Sequence, residues 1–367
     1  MLTRFVRTVR VCMLQRWVTA CLAGFLALGA SPLWAQTFEP TLTVGAGIQG
    51  SYDHTQPEGG DALDQFSLNH LRLYFSGDIT KNISAMVNTD YDSSLNTMKV
   101  LDAVGEFHAS PMFNIWLGRF LPPSDRANFH GPFYSNEWAV YIDGIEDGYP
   151  SIFQGRDNGI AYWGDFKAGI TKIKASVGVF DGASLSTGSS EVLWAGRVQL
   201  DFWDPENGYY LNSTYYGDKN LLAIAGATQV QSGKTATTVD FLMERKVMNG
   251  GAFTIESEFS RYNGLGGYYG ATKSEGGFGL ASFLFPKQIG IGKVEVLGKF
   301  AESEFTSPTP SYRQKTTDVE IGYIIKQFDA RVFAFGTNTT FNAVQTNTWS
   351  AGLGLQLQLS KQILGPK

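Results

Sequence analysis

Cysteine is nearly absent from this chain of 367 residues, and its only two copies, Cys12 and Cys21, both lie within the first 35 positions. The rest of the chain therefore has no disulfide and no thiolate metal site. Long apolar runs are also missing: beyond residue 35 no stretch approaches the roughly 20 residues of a membrane-spanning helix, which excludes helical spanning. An excess of basic charge is missing as well, because 29 lysines and arginines face 34 acidic residues. A basic face for binding nucleic acid is not indicated.

Sequence motifs of catalysis are absent too. There is no G-x-S-x-G nucleophile elbow and no phosphate-binding G-x-x-x-x-G-K-[ST] loop. The histidines share no metal-ligand spacing with aspartate or glutamate on one strand face; they are His54, His70, His108 and His130. We therefore expect no enzyme activity, no cofactor and no bound metal.

The first 35 residues differ from the rest. Four arginines and no acidic residue open the chain, an apolar stretch covers residues 17–30, and Pro32 precedes the small residue Ala35. This order of basic, apolar and small residues is that of a secretory signal peptide, and the apolar stretch is too short for the alternative, a membrane anchor. We expect cleavage after Ala35. Residues 36–367 then form the mature domain, with a net charge of −9 instead of −5.

Polar and apolar residues alternate with a period of two through most of the mature chain, which is the pattern of strands with two different faces. In the last segment Leu353, Leu355 and Leu357 oppose Gly354 and Gln356. Seventeen such segments start near residues 41, 67, 83, 99, 113, 158, 171, 191, 208, 221, 235, 251, 274, 292, 317, 328 and 346. Closed bacterial barrels have an even number of strands, so one start is surplus, and 208–216 has the weakest alternation. The predicted fold is all-β, an antiparallel barrel of about 16 strands.

Two features favour a transmembrane barrel over the alternative, a soluble secreted β-sandwich. Many polar strand faces carry several charges, which suits a wet lumen and not a dry sandwich core. Tyrosine and tryptophan also cluster near the ends of the predicted strands, as in the aromatic girdles of membrane barrels. We expect these rings at the lipid headgroup level; they are Tyr52, Tyr91, Trp163, Trp203, Tyr209, Tyr210, Tyr215 and Tyr216.

Several stretches carry a resemblance to a known family. These are HLRLYFSG at 70–77, LDAV at 101–104, LGRF at 117–120 followed by PP at 122–123, and GYY at 208–210 followed by STYYG at 213–217. In order and spacing the chain resembles the phosphate-selective porins O and P of Gram-negative bacteria. Residues 350–357 are similar to the C-terminal assembly signal of outer-membrane barrels, although no terminal phenylalanine follows. The resemblance implies a sixteen-stranded outer-membrane barrel, usually trimeric, with inward-folded loops and a lumen lined by arginine and lysine.

Residues 122–156 form the longest segment without alternation, and they are rich in aromatic residues. A loop of this length is usually functional. We expect it to fold into the barrel and narrow the pore; the alternative is an external loop packed on a neighbour or on lipopolysaccharide.

Charged residues on the lumenal faces and on this loop are the candidates for selecting solutes, because rings of charge set the selectivity of a pore. The basic pore-lining or anion-contacting candidates are Arg72, Arg126, Arg156, Lys174, Arg197, Lys293 and Lys299. The acidic constriction candidates are Asp125, Glu137, Asp143, Glu146 and Asp147. Strand phase also directs acidic residues into the lumen: Asp90, Asp92, Asp201, Glu256, Glu258, Glu295, Asp318 and Glu320. The sign of selectivity therefore stays open.

The expected function is passive diffusion of small hydrophilic solutes and ions through an outer-membrane porin, with phosphate or other anions implied by the resemblance. The expected partners are outer-membrane lipid, lipopolysaccharide, these solutes and, as a homotrimer, further copies of the chain. A sheath for a periplasmic electron-transfer protein is the alternative from another class, and it needs a wide interior without loops. A third class, a barrel hydrolase, would depend on His70 or His108 beside a lumenal serine.

Overall fold

The period-two alternation of the sequence becomes a continuous antiparallel ladder. A computed structural model describes residues 38–93, 95–146, 148–182, 191–247, 250–268, 271–306, 310–343 and 345–365. The expected leader, residues 1–35, and the candidate Asp147 lie outside the described residues. Over these residues the chain forms sixteen strands and one five-residue helix, α1 (Arg126–His130), between the fifth and sixth strands. No helix in this part of the chain is long and apolar enough to cross a membrane.

The strands follow one another around the sheet in sequence order, and the last pairs with the first. Leu42 lies opposite Leu364 and Pro57 lies opposite Thr348, so the sheet closes into a barrel. Closure pairs the backbone of every strand on both sides. The strands are β1 (Leu42–Pro57), β2 (Leu63–Thr80), β3 (Ile83–Asp92), β4 (Thr97–Ser110), β5 (Phe113–Phe120), β6 (Asp157–Ala168), β7 (Thr171–Phe180), β8 (Leu193–Asp201), β9 (Leu221–Gln231), β10 (Lys234–Val247), β11 (Gly251–Asn263), β12 (Lys273–Ile289), β13 (Gly292–Thr306), β14 (Tyr312–Lys326), β15 (Ala330–Phe341) and β16 (Thr348–Leu364).

The surplus start is the one at 208–216, as the weak alternation there indicated. These residues belong to the connection 202–220 between β8 and β9 and form no strand. The largest difference in a strand start is in β14, which begins at Tyr312 and not near 317, because Tyr312 already pairs with Phe305 of β13. The prediction of a closed all-β barrel is confirmed.

Apolar side chains face outward and charged ones face inward, the reverse of a soluble protein. On β14, Val319 and Ile321 are 61% and 58% exposed, whereas the intervening Glu320 is 3% exposed. On β16, Leu359 is 68% exposed and Gln356 is fully buried. The outer surface therefore carries an apolar band, and the charged faces line the interior.

The barrel has two different ends. We call the end that holds the start of β1 and the end of β16 the terminal end, and the opposite one the loop end. Because neighbouring strands alternate in direction, the segment 121–156 enters from the loop end and the segment 202–220 enters from the terminal end. We call them the long loop and the counter-segment. Most residues of the long loop are buried although it does not belong to the strand ladder, and the counter-segment buries Glu206, Tyr209, Leu211, Ser213, Thr214 and Tyr216. Both segments therefore fill part of the interior.

Part of the interior is a dry aromatic core. Trp116 of β5 and Trp163 of β6 pack at 4.5 and 6.1 Å, between ring centroids, from Tyr209 of the counter-segment, and Phe129 of α1 packs 5.1 Å from the same ring. The expectation that Trp163, Tyr209, Tyr210, Tyr215 and Tyr216 lie at the lipid headgroup level is therefore wrong. These rings fill the space between the two inserted segments and the wall, because a barrel of sixteen strands is too wide for its own wall side chains to fill.

Candidate functional site

The long loop crosses the interior and seats against the opposite wall. Phe133 and Trp138 are its contacts with β1 and β16, and glycines of the wall make room for them. A Cβ on Gly47 would lie 2.7 Å from Phe133 Cε1, and one on Gly354 would overlap the ring of Trp138. Real Cβ atoms do not approach so closely, so the wall is shaped to receive these two rings. The inward-folded position expected for residues 122–156 is the one observed.

Helix α1 anchors the start of the long loop. Asp125 caps it, with its carboxylate accepting a hydrogen bond from Asn128 N, as aspartate does at helix N-termini. The next residue, Arg126, is fully buried and reaches the counter-segment: its Nη1 and Nη2 lie 2.9 and 2.6 Å from the two carboxylate oxygens of Glu206. Nη1 also donates to the carbonyl of Asn212 at 2.9 Å. We call this bidentate pair the Arg126–Glu206 clasp, since it joins the two inserted segments inside the barrel.

The clasp sets the ionisation of its members. Although burial acts to raise it, the neighbouring Arg126 guanidinium lowers the pKa of Glu206 below the ordinary glutamate value, and hydrogen bonds from Arg126 and Tyr215 act in the same direction. Glu206 therefore stays ionised opposite Arg126. Arg126, predicted as a pore-lining or anion-contacting residue, is thus a fully buried cation held by a carboxylate.

Two further basic candidates are also engaged by the inserted segments. Arg197 of β8 forms a bidentate pair with Asp240 of β10, with Nη2 lying 2.8 Å from Oδ1, and donates to the carbonyl of Ser124 at 3.0 Å. Lys174 of β7 lies 2.9 Å from Asp165 and donates to the carbonyl of Gly208 in the counter-segment. Both side chains are lumenal, as strand phase predicted, but each is neutralised by an acidic residue and holds a loop carbonyl.

Lys299 of β13 lies among three loop carboxylates. Its Nζ is 3.1 Å from Glu137, 2.8 Å from Asp143 and 2.5 Å from Glu146. One ammonium cannot balance three buried carboxylates. Burial, with Glu320 and Asp143 adding to it, raises the pKa of Glu137, and burial together with Asp143 raises the pKa of Glu146. Burial opposes ionisation of Asp143 as well, but Lys299 and a hydrogen bond from Glu146 lower the pKa of Asp143.

The remaining basic candidates divide into two groups. Arg72 of β2 and Arg156, at the end of the long loop, lie on one cavity of about 350 Å³ that has walls from β1 to β4 and β16. Lys293 lies apart: at the terminal end its Nζ contacts the carbonyl of Gly250 at 2.5 Å, and it does not line this cavity. The seven basic candidates therefore do not form one ring.

Sequence reasoning missed several buried charged residues, among them Glu206, Asp240 and Arg331. Arg331 of β15 is fully buried, and it donates to the carbonyl of Ser135 at 2.5 Å and to Gln356 Oε1 at 2.8 Å. The pattern gave a weak signal for it, because Phe333 and Phe335 share its lumenal face and make that face look apolar. Glu206 lies just before the segment 208–216 that was first counted as a strand, and nothing in its neighbourhood indicates a partner 80 residues away.

Clusters of three or more histidine, cysteine, aspartate or glutamate side chains placed to hold a metal are not found within the described ranges. The three carboxylates around Lys299 each pair with its ammonium.

The architecture defines a class. A closed antiparallel barrel of sixteen strands, apolar outside, charged inside and crossed by a loop, is a porin-like barrel. Among solved structures the chain is similar to an anion-selective porin from Comamonas acidovorans, with 11% identity, 88% of this chain and 100% of that chain covered, and a TM-score of 0.57. It is also similar to OmpF of Salmonella typhi in complex with daunomycin (11% identity, 87% and 97% covered, TM-score 0.56). OmpT of Vibrio cholerae gives 7% identity, 89% and 99% covered, and a TM-score of 0.52.

At these identities the likeness is one of fold. The comparison with protein-family models and the comparison with curated proteins each found no match.

Proposed function

We propose that this chain is a bacterial outer-membrane channel through which small hydrophilic solutes, anions among them, diffuse passively past the long loop. The observation that carries the proposal is the inverted distribution of side chains: the outer face is an apolar band and the inner face is charged. In water such a band would drive aggregation, whereas in a bilayer it matches the acyl chains. The outer-membrane lipid and lipopolysaccharide are therefore the proposed surroundings, reached after removal of residues 1–35 as a signal peptide.

The long loop is the proposed constriction. It is tied to β13 through Lys299, to β14 through the two backbone N–H groups donated by Trp138 and Ala139 to Glu320, and to β15 through Arg331. These ties hold it across the lumen. The interior is thus narrow, which suits a channel for small solutes and not a sheath around a partner protein.

Planar-bilayer recording tests the proposal directly. Purified protein should form ion-conducting channels, and deletion of part of residues 125–150 should raise the single-channel conductance because it removes the constriction. Absence of conductance in the folded wild-type protein would reject the channel. An unchanged conductance after the deletion would reject the constriction alone.

Phosphate passage and a trimer are the finer proposals that the resemblance to phosphate-selective porins O and P adds. The reversal potential in a salt gradient, measured with chloride and then with phosphate, reports the favoured ion. Chemical crosslinking in detergent reports the trimer. N-terminal sequencing of the mature protein tests the leader, with Gln36 as the expected first residue.

A barrel hydrolase is a second candidate, and one observation favours it. His108 Nε2 of β4 lies 2.9 Å from Ser84 Oγ of β3, and its Nδ1 lies 2.8 Å from Asn114 Oδ1 of β5. This is the order of nucleophile, base and orienting group in serine hydrolases. Glu106 Oε2, however, lies 3.0 Å from the same serine oxygen and competes for its proton. Ser84→Ala should abolish esterase activity if the triad works, and the wild-type protein should be inactive if it does not.

A further inference from the structure

The cavity beside β1 to β4 has a polar side and an apolar side. It is reached from the terminal end, where Thr43, Ser76 and Ser360 line it, and it ends against the long loop. Its volume of about 350 Å³ is at the small end of ligand-binding pockets. One small organic molecule fits in it.

The charged residues that line the cavity are Arg72, Arg156, Asp102 and Asp329. Arg72 Nε lies 2.9 Å from Asp90 Oδ2, and Arg156 Nε lies 3.1 Å from Asp102 Oδ1. Each carboxylate is already occupied from other directions: Asp90 by His70 at 2.8 Å, and Asp102 by Tyr210 at 3.0 Å and by Asn88. The carboxylates therefore hold the guanidiniums in place.

Gln154 brings the two guanidiniums together. Its side-chain oxygen accepts from Arg72 Nη2 at 3.3 Å, and its backbone carbonyl accepts from Arg156 Nη1 at 2.7 Å. Each guanidinium carries one further Nη group, Arg72 Nη1 and Arg156 Nη2, and both side chains line the cavity. Arginine side chains bind carboxylates and phosphates through such paired N–H groups.

The backbone at Gln154, which contacts both guanidiniums, adopts a strained conformation. Gln154 and Gly155 have φ angles of 45° and 77°, and Arg156 N donates to the carbonyl of Phe153 at 3.0 Å, so residues 153–156 form a turn with two left-handed residues. Such a turn favours asparagine and glycine at its centre, so glutamine is an unfavourable residue at this left-handed position. Strain of this kind is concentrated at functional sites.

The opposite side of the cavity is apolar and aromatic. Phe129 and Tyr134 of the long loop, Tyr210 and Leu211 of the counter-segment, and Leu101 of β4 line it. A fully hydrated inorganic ion gains nothing from these walls. A molecule with a flat or aliphatic body buries its surface against them.

We propose that this cavity binds a small organic monoanion, a carboxylate with an apolar body, on its way through the channel. The inference rests on the proposed channel function and names the solute class for it. Phosphate fits less well because each guanidinium already has a carboxylate partner and Asp329 also lines the cavity, so the site carries no net positive charge to balance a divalent anion. The carboxylate group of such a molecule needs only two or three N–H donors, and the apolar body of the molecule supplies the remaining affinity.

Benzoate, acetate and inorganic phosphate are the probes, added at pH 7 to the terminal end of single channels in KCl. Benzoate should reduce the current at concentrations at least tenfold below those needed for acetate or phosphate. Arg156→Gln and Gln154→Gly should each weaken the benzoate effect at least fivefold; the glycine keeps the left-handed backbone and removes only the side-chain acceptor. Lys81→Gln, which removes a cation from the exposed turn between β2 and β3 at the same end and outside the cavity, is the matched control and should behave as wild type.

Three results would overturn the inference: phosphate acting as strongly as benzoate, acetate acting as strongly as benzoate, or both cavity variants matching the control. Isothermal titration of benzoate into the detergent-solubilised protein separates the two proposals. Binding without conductance in any salt supports the cavity and rejects the channel, whereas conductance without benzoate binding rejects the cavity and supports the channel. Heat-modifiable migration on gels verifies that each variant is folded.

Discussion

Replacing Glu206 by glutamine should release the long loop from the counter-segment while leaving the barrel intact. The change removes the carboxylate that lies 2.6 and 2.9 Å from the Arg126 nitrogens, and both side chains are fully buried. Breaking one half of a buried ion pair costs about 3–5 kcal/mol. Asp240 lies 3.6 Å from Arg126 Nε and still balances part of the arginine's charge. We therefore expect the docked loop to lose about 3 kcal/mol of stability, the lower limit of that range.

Since about 1.4 kcal/mol corresponds to a factor of ten, the released state should become on the order of a hundred times more populated. Single-channel recordings should then show frequent steps to a higher conductance. Hydrogen exchange should rise in residues 121–156 and 202–220 and stay unchanged in the strands, because the clasp forms no part of the ladder. Glu304→Gln is the matched control: this glutamate is half exposed and pairs with exposed Arg313, and such surface pairs contribute little.

The double variant Arg126→Met, Glu206→Met tests the physical reason. It removes both charges and leaves no unpaired ion in the interior, so it should lie closer to wild type than Glu206→Gln does in conductance and exchange. If the double variant opened to the higher conductance as often as Glu206→Gln does, an uncompensated buried charge would not be the cause of loop release.

Three other outcomes follow from the same geometry. Gly354→Leu should displace Trp138 and destabilise the docked loop by roughly 1–3 kcal/mol, because the larger side chain overpacks the site. Gly279→Leu, at an open outer position, should have no such effect. Conductance and tryptophan fluorescence report the difference, and equal effects of the two variants would contradict the close fit of Trp138 against Gly354. Because the pKa of Glu137 and of Glu146 is raised, their protonated forms favour docking at low pH, and this contribution is lost as pH rises through the raised values. Conductance should therefore increase as the pH is raised. A Glu146→Gln channel with the same pH profile as wild type would show that Glu146 does not cause this increase. Ile321→Arg places a charge on the outer band and should destabilise folding into liposomes by about 2–4 kcal/mol, while retention of wild-type stability there would argue against a lipid-facing surface.

The strands could be predicted from the sequence because each strand has one apolar face and one polar face. Leu353, Leu355 and Leu357 alternate with Gly354 and Gln356, and this local alternation is preserved whatever the rest of the chain does. The same argument correctly placed Arg72, Arg197 and Lys299 toward the interior. It failed for the aromatic residues of the counter-segment, because tyrosine in a lipid interface and tyrosine in a dry interior obey the same composition rule.

The sequence by itself determined that this chain closes into a barrel, which side of each strand faces inward, and that the long loop enters the lumen. Only the tertiary structure decided what the charges do there. Arg126 and Glu206 are 80 residues apart in the chain, and they meet because their segments enter the barrel from opposite ends. Lys299 and Glu137 are 162 residues apart, and they meet because the long loop crosses the barrel to the opposite wall. Strand phase is a property of neighbours along the chain, whereas the pairing of buried charges depends on which distant segments share an enclosed volume.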